Sequence, residues 1–229
     1  MTSTEQHRAF RFGLDKLDAL NYPNFLPEEI DLLLNQAQDR YVKQRYGLTN
    51  PKRDGFEEIQ KRTEDLKELV QPANIAPLAY NASTNIDVNA RFFTLPTDHW
   101  FIIQERVEIS YTDCNGDTQT KLVEVRPTQH VEFDKVIKDA FKAPDKTKVL
   151  RLMENGQVEI VSDSTSTLNT YRLRYLKQPV RISLSPVVNC ELSEHTHQEI
   201  VDEAIKIALE GIEAKRNSTF TPIIDNQKE

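Results

Sequence analysis

The sequence predicts an α+β protein in which a helical domain, formed from N-terminal helices and the C-terminal helix, carries an inserted antiparallel β-sandwich-like domain. Apolar residues recur at helical spacing near both ends of the chain, whereas residues 91–184 alternate apolar and polar side chains. A helix with a broad apolar face must bury that face. We therefore expect the C-terminal helix to pack on the N-terminal helices.

Residues 1–70 are predicted to form the N-terminal helical part. The spacing of Phe10, Leu14 and Leu17 predicts a first helix. A second helix is expected to begin near Pro27, because proline fits the first helical turn without losing a hydrogen bond. A third is expected from about residue 55 to 70.

The middle of the chain is predicted to be a linker followed by a β-rich domain. Residues 71–90 contain two prolines and several Asn, Ala and Ser, which favours the linker. Residues 91–186 are the β-rich domain, with a short inserted helix over 130–141. Asn115-Gly116 and Asn155-Gly156 each separate two alternating runs and so predict hairpin turns.

The C-terminal part is predicted to be a helix and a tail. Residues 187–216 hold the helix, whose apolar face is expected to contact the N-terminal part. Acidic residues are concentrated here, with seven acidic against three basic residues over 190–216. Residues 217–229 are polar and are expected to be a tail that becomes ordered on a partner.

Composition excludes several classes of protein. The net charge of −7 argues against a free-standing phosphate-binding protein. No run of 18 apolar residues occurs, so no transmembrane helix is expected, and the first ten residues lack the apolar core of a signal peptide. Cys114 and Cys190 fit neither a disulfide framework nor a zinc pattern, and two free thiols are predicted.

No motif indicates an enzyme, a metal site or a cofactor site, and none is predicted. His195 and His197 lie two residues apart, which on a helix places them about 200° apart around the axis and unsuited to one zinc ion. The Asp113–Asp117 segment lacks the spacing of a calcium loop and is expected to be a turn. Asp98 and His99 have no nucleophile in a recognisable motif beside them.

Three arginines form the candidate binding surface. Arg172 and Arg174 share one face of a predicted strand, Thr170–Leu176, and Arg181 lies on the next predicted strand, Val180–Leu184. Nucleic-acid contact and salt bridges to an acidic neighbouring subunit are both open interpretations. The charge distribution suggests the hypothesis that these basic strands contact the acidic C-terminal helix of another copy.

Several segments, in their order along the chain, resemble a family of structural proteins from crAss-like phages of gut Bacteroidetes. The resemblance extends over residues 10–214, and its middle segment has Ala140 where the family more often has proline. The segments that carry it are Gly13–Lys16, Glu29–Gln38, Lys43–Leu48, Gly55–Glu57, Gln60–Arg62, Asp139–Pro144 and Asn189–Val201.

This resemblance implies a virion protein that forms a ring in the neck (head–tail connector) or upper tail. Expected partners are further copies in a ring, with twelvefold symmetry possible, together with the portal and neighbouring neck or tail proteins. Neither a membrane nor sequence-specific nucleic acid is an expected partner, although the genome would pass through the ring lumen. The implied location is the virion, and the host cytoplasm during assembly.

A second hypothesis is a monomeric accessory module of the tail that binds carbohydrate or protein. It requires an exposed aromatic platform on the sheet. Trp100, Tyr171 and Tyr175 are the first candidates for such a platform.

Overall fold

The structure, a computed structural model, describes residues 1–17, 25–47, 57 and 59–211. The α+β class is confirmed by helices and strands in these ranges. No described helix combines the length and the apolar character that crossing a bilayer requires. The helices are α1 (Ser3–Leu17), α2 (Pro27–Tyr46), α3 (Gln60–Leu66), α4 (Phe133–Lys138) and α5 (His197–Gly211).

The chain forms two compact units. The helical unit consists of Met1–Leu69 and Pro179–Glu229, and the β unit consists of Val70–Gln178. The β unit is thus inserted into the helical unit in sequence.

In the helical unit, α5 packs against α1 and α2. Gly13 of α1 allows a close approach, because a Cβ atom there would lie 2.4 Å from Cδ1 of Ile205 on α5. Ile200, Ala204 and Leu209 are also buried on the apolar face of α5. The helix begins at His197, after a 3-10 turn over Glu194–Thr196.

Residues 179–192, here called the strap, connect the β unit to α5, and α2 side chains hold them in place. Asn35 donates to the carbonyl oxygen of Ile182 and accepts from its amide, both at 2.8 Å. Gln38 donates to the carbonyl of Val180 at 3.1 Å. The strand predicted over Val180–Leu184 is therefore wrong: the backbone of this segment bonds mainly to amide and carboxylate side chains, and only Ser183 forms an isolated bridge, with Val188.

The β unit is built on one sheet of seven strands in the order β1-β7-β3-β4-β5-β6-β2. The strands are β1 (Val70–Ile75), β2 (Ala90–Thr94), β3 (His99–Thr112), β4 (Thr118–Pro127), β5 (Lys148–Glu154), β6 (Gln157–Val161) and β7 (Ser166–Lys177). The expected antiparallel sandwich needs correction, because the described strands form a single mixed sheet in which β4 and β5 run parallel. The connection through α4 makes this parallel pairing possible.

The sheet curls around an apolar core. Phe93 on β2 and Tyr171 on β7 belong to opposite halves of the strand order, yet their ring centroids lie 5.6 Å apart. On the other face, Phe133 of α4 packs with Leu150 and Leu152 of β5. Alternate residues of β5 thus contact different layers, as the two-residue period of a strand requires.

Both Asn-Gly hairpins are confirmed. Gly116 has a φ of +86°, and Asn155 and Gly156 have φ values of 41° and 73°. These left-handed conformations explain why the turns use asparagine and glycine.

Two predicted boundaries need correction. β1 occupies residues 70–75, which lie mostly inside the predicted linker, because Pro72 fits the unpaired side of an edge strand. The third helix was expected from residue 55, whereas α3 begins at Gln60 and is followed by a 3-10 turn over Lys67–Leu69. Residues 48–56, and the tail predicted over 217–229, lie outside the described residues.

Candidate subunit interface

Arg172 and Arg174 lie together on the outer face of β7, with Leu173 between them buried in the core. The sheet register adds a third arginine, because Arg106 of β3 lies opposite Arg172. Together with Gln104 and parts of β1 and β7, these side chains line a groove of about 380 Å3. We call Arg106, Arg172 and Arg174 the arginine groove.

The arginine groove has little acidic compensation within the subunit. Arg172 donates to Glu108 at 3.3 Å, but that pair is largely exposed and so contributes little stability. Arg106 lies between Arg172 on one neighbouring strand and Glu124 on the other. Arg174 lies opposite Pro72 and Gln104 and makes no ion pair with any residue that the structure describes. The groove can therefore accept carboxylates from another molecule.

Arg181 is not part of this groove. It lies in the strap of the helical unit, and its Nη1 donates to Asp39 Oδ2 on α2 at 2.9 Å. Arg172 and Arg174 are thus brought together as predicted from strand alternation. The expectation that Arg181 occupies an adjacent strand is wrong, because its segment is not a strand in the structure.

The acidic residues of α5 are partly used inside the helical unit. Glu203 is fully buried and accepts from Arg40 at 3.0 Å. Glu199 accepts from Arg45 at 2.6 Å and lies 3.7 Å from Lys61 Nζ. These carboxylates stabilise helix packing and are not available to a neighbouring copy.

A buried ionic network surrounds Asp65, which has no exposed surface. Arg45 Nε lies 3.1 Å from Asp65 Oδ2, and the Tyr41 hydroxyl donates to the same oxygen at 3.1 Å. Burial raises the pKa of Tyr41 well above its usual range, and the nearby Glu199 and Asp65 raise it further. Tyr41 therefore remains a neutral hydrogen-bond donor at physiological pH.

The two histidines considered for a metal make separate structural contacts. His195 Nε2 lies 2.8 Å from Asp65 Oδ1. His197 Nε2 lies 2.8 Å from the carbonyl oxygen of Leu192, and burial lowers the pKa of His197. Each histidine ties the start of α5 to a different part of the unit.

An acidic surface remains beside this network. Glu64, Glu68 and Glu194 line a shallow groove of about 600 Å3 together with Lys67, Ser193 and His195. Glu64 pairs with Lys67 at 2.8 Å in an exposed contact, and Glu194, whose side chain is 87% exposed, lies 3.4 Å from the amino group of Met1. We call Glu64, Glu68 and Glu194 the acidic patch.

The aromatic platform expected for an accessory module is not formed by its two tyrosine candidates. Tyr171 and Tyr175 are buried, and their hydroxyls donate to Glu105 at 2.8 Å and to Asp98 at 3.0 Å. Trp100 is half-buried and stacks on Phe101. The two tyrosines thus serve the packing of the sheet.

Sequence reasoning missed Arg106 and the amide side chains that hold the strap. Arg106 lies two residues from Gln104 and from Glu108 and alternates with the buried Val107, so its outward orientation was visible in the pattern. Its position opposite Arg172 depends on strand register, which a pattern does not give. Asn35 and Gln38 lie in a segment that carries the resemblance, but their partners follow 147 and 142 residues later.

The inserted sheet thus carries a basic outer groove, and the helical unit carries an acidic surface. Comparison with known proteins identifies the family. A family model described as phage tail ring protein 3/4 matches residues 1–220, and the chain belongs to this family. The chain is also 25% identical over 206 residues to "Ring protein 4/5" of Bacteroides phage crAss001, covering 81% of this chain and 83% of the relative. The protein is therefore a structural ring protein of a crAss-like phage tail.

Proposed function

We propose that the protein forms a closed homo-oligomeric ring in the head–tail connector or upper tail and bridges portal and tail through protein–protein contacts. Membership of a ring protein family supports the ring. The observation that carries the mode of assembly is the arginine groove, which is lined by three arginines and no acidic residue. Twelve copies around a lumen wide enough for the genome would suit this position.

A ring requires two different complementary surfaces on each subunit, so that every copy binds the next in the same way. The arginine groove of the β unit is one such surface. The acidic patch of the helical unit is its proposed partner on the neighbouring copy. Of the acidic residues predicted at the C-terminal part, Glu194 rather than Glu199 or Glu203 is proposed for this contact, because Glu199 and Glu203 already bind arginines within the subunit.

The chemistry of this contact favours specificity. Arginine offers five donors in a planar fork and binds carboxylates through two parallel hydrogen bonds. Glu64 and Glu194 present exposed carboxylates of the required sign. Because both surfaces are exposed in the free subunit, salt screens the attraction, and assembly should weaken as ionic strength rises.

The first test is the particle mass of the purified protein by size exclusion with light scattering, over a range of protein and salt concentrations. We expect a discrete oligomer. The double variant Arg172→Glu, Arg174→Glu should reduce it to a monomer, and adding Glu64→Lys, Glu194→Lys should restore assembly. The matched control is Arg8→Glu, Arg11→Glu, which changes the net charge equally on exposed positions of α1.

An unchanged particle mass in the groove variant would contradict the proposed contact. A wild-type protein that stays monomeric, and that also fails to bind purified portal assemblies, would contradict the ring itself. The portal test also examines the proposed bridging role. If the protein assembles only in the presence of portals, assembly in the host cytoplasm would begin on a portal.

A further inference from the structure

The first half of β4 has an unpaired edge. β4 pairs with β3 from Thr118 to Glu124, but β5 pairs with β4 only from Glu124 to Pro127. Residues 118–123 therefore have no strand on their second side among the residues that the structure describes. Every residue from 112 to 122 is exposed, so this end of the β3–β4 hairpin extends beyond the core.

The backbone of this edge is available to another strand. In an antiparallel pair, successive residues direct their backbone groups alternately to the two sides of the strand. The Glu124 amide donates to the carbonyl oxygen of Thr147 at 3.3 Å, on the β5 side. The backbone groups of Thr118, Thr120 and Leu122 therefore face that side, where they make no backbone bond to a described residue. We call these three residues the β4 edge, and each offers one donor and one acceptor.

The outer strands of the sheet, β1 and β2, are less suited to accept a strand. Pro72 of β1 lacks the amide hydrogen that a ladder requires. On β2, the Phe92 carbonyl oxygen already accepts from the Leu78 amide at 2.7 Å. Of the devices that usually protect an edge, residues 118–123 contain only a lysine, Lys121, and their pairing with β3 has no bulge. The β4 edge is therefore the more favourable site for strand addition.

The C-terminal tail contains a segment with the matching pattern. Residues 219–224 read Thr-Phe-Thr-Pro-Ile-Ile, and all but the proline are types that favour strands. Pro222 alternates with Thr221 and Ile223, so in an extended chain Thr219, Thr221 and Ile223 direct their amide hydrogens to one side. Pro222 then belongs to the side that needs no donor, which is where prolines are tolerated in strands. We call residues 219–224 the tail segment.

The length of the chain and an apolar contact also suit this pairing. Thr219 follows Gly211, the last residue of α5, by eight residues, which extend over at most about 28 Å. Leu122 of the β4 edge is 38% exposed. Phe220 or an isoleucine of the tail segment would cover it.

We infer that the tail segment of one copy adds as a strand to the β4 edge of the neighbouring copy. This inference rests on the proposed ring. The tail follows the helical unit, whereas the β4 edge belongs to the β unit. The neighbour whose acidic patch binds the arginine groove thus supplies the tail segment as well, and both contacts follow the same direction around the ring. In strand addition, main-chain hydrogen bonds supply the affinity.

Hydrogen exchange followed by mass spectrometry tests the contact directly. In assembled wild-type protein, the backbone amides of the β4 edge should be protected. After deletion of residues 217–229, or after dilution to the monomer, they should exchange at least about tenfold faster. Peptides from the buried strand β6 are the internal control, since their protection should not change.

A proline substitution tests the hydrogen bonds of the β4 edge. Thr120→Pro removes one donor and leaves the bonds to β3 intact, because the Thr120 amide faces the open side. It should raise the protein concentration needed for assembly about tenfold, as measured by light scattering. Thr120→Val, which keeps the amide hydrogen and the β-branched shape, is the matched control. Thr221→Pro places a proline at a bonding position of the tail segment and should weaken assembly similarly.

Trp100 fluorescence during denaturant unfolding shows whether these variants fold. If Thr120→Pro does not fold, the tail deletion decides. Normal assembly of the tail deletion, or an unprotected β4 edge in assembled wild-type protein, would overturn this contact. Equal protection in monomer and oligomer would also overturn it, because the tail segment would then bind its own copy. In these cases loss of assembly in the arginine-groove variant would still support the ring. Wild-type protein that never self-associates, with or without a portal, would overturn both.

Discussion

The helical unit and the β unit differ in where their charged side chains lie. In the helical unit Arg45, Asp65 and Glu203 are buried and paired with one another or with close neighbours. In the β unit Arg172 and Arg174 point outward beside a core that is mostly apolar. Similar residue types therefore stabilise one unit and form the surface of the other.

Each of the two units is held together by different interactions. α2, α3 and α5 come from distant parts of the chain, and a buried ion pair between them requires a particular arrangement of the helices. The sheet already has a specific register from its backbone hydrogen bonds and its apolar alternation. Its charged residues are therefore available for contacts with other molecules. Even so, the β unit holds Arg151 against Glu105 at 2.8 Å, where burial raises the pKa of Glu105.

The largest effect is expected from Arg45→Gln in the helical unit. This change takes the guanidinium away from the fully buried Asp65 and removes the bond to Glu199. Breaking a buried pair typically costs about 3–5 kcal/mol of unfolding free energy. Denaturant unfolding followed by far-ultraviolet circular dichroism measures the loss, because the helical signal comes mainly from this unit.

The same experiment can follow the unfolding of each unit separately, because Trp100, the single tryptophan, lies on β3. Its fluorescence reports on the β unit. The exposed pair Lys67–Glu64 provides the control, and Lys67→Gln should leave the unfolding free energy nearly unchanged, because an exposed ion pair contributes little stability. A loss below about 1 kcal/mol for Arg45→Gln would contradict the distinction between the two units.

A smaller effect is expected at alkaline pH, again in the helical unit. Cys190 is buried beside Gln38, and burial raises the pKa of its thiol to about 11 from an ordinary value of 9.0. The unfolded thiol ionises first. The stabilisation that comes from the neutral, buried thiol is therefore fully present below pH 9 and is lost as the pH rises towards 11. The difference corresponds to about 2–3 kcal/mol of unfolding free energy.

Unfolding curves at pH 8 and above pH 10 measure this loss. Cys190→Ala should remove the thiol contribution and reduce the alkaline loss. Cys114→Ser, at an exposed turn, should leave the loss unchanged. An equal alkaline loss with and without Cys190 would show that another group titrates in the helical unit.

Much of the fold could be predicted because it depends on local patterns. The turn at Asn155-Gly156 and the alternation of Arg172, Leu173 and Arg174 follow from backbone geometry. The strap could not be predicted in this way. Its segment reads as a strand, but its partner is Asn35, whose side-chain amide takes the place of a neighbouring backbone.

In the candidate interface, too, the local pattern was predictable and the long-range partners were not. Alternation along β7 placed Arg172 and Arg174 on one face, but only the register of β3 added Arg106. Sequence counts also showed an acidic C-terminal helix. They did not show that Glu203 is buried against Arg40, because pairing between distant helices is a property of the packed unit. Charge counts thus gave the composition of the surfaces without identifying which carboxylates are exposed.

The smallest effect on stability is expected from Arg174→Gln, the same chemical change as Arg45→Gln but in the β unit. Arg174 is exposed and lies opposite Pro72 and Gln104, and the change breaks no ion pair with a residue that the structure describes. Surface changes of this kind usually alter unfolding free energy by no more than about 0.5 kcal/mol. Trp100 fluorescence during denaturant unfolding measures it. Assembly should nevertheless weaken, because the proposed groove contact loses one of three arginines. A variant that assembles normally but unfolds more easily would contradict the distinction between the two units. Arg174 would then stabilise its own unit and would not contribute to the groove contact.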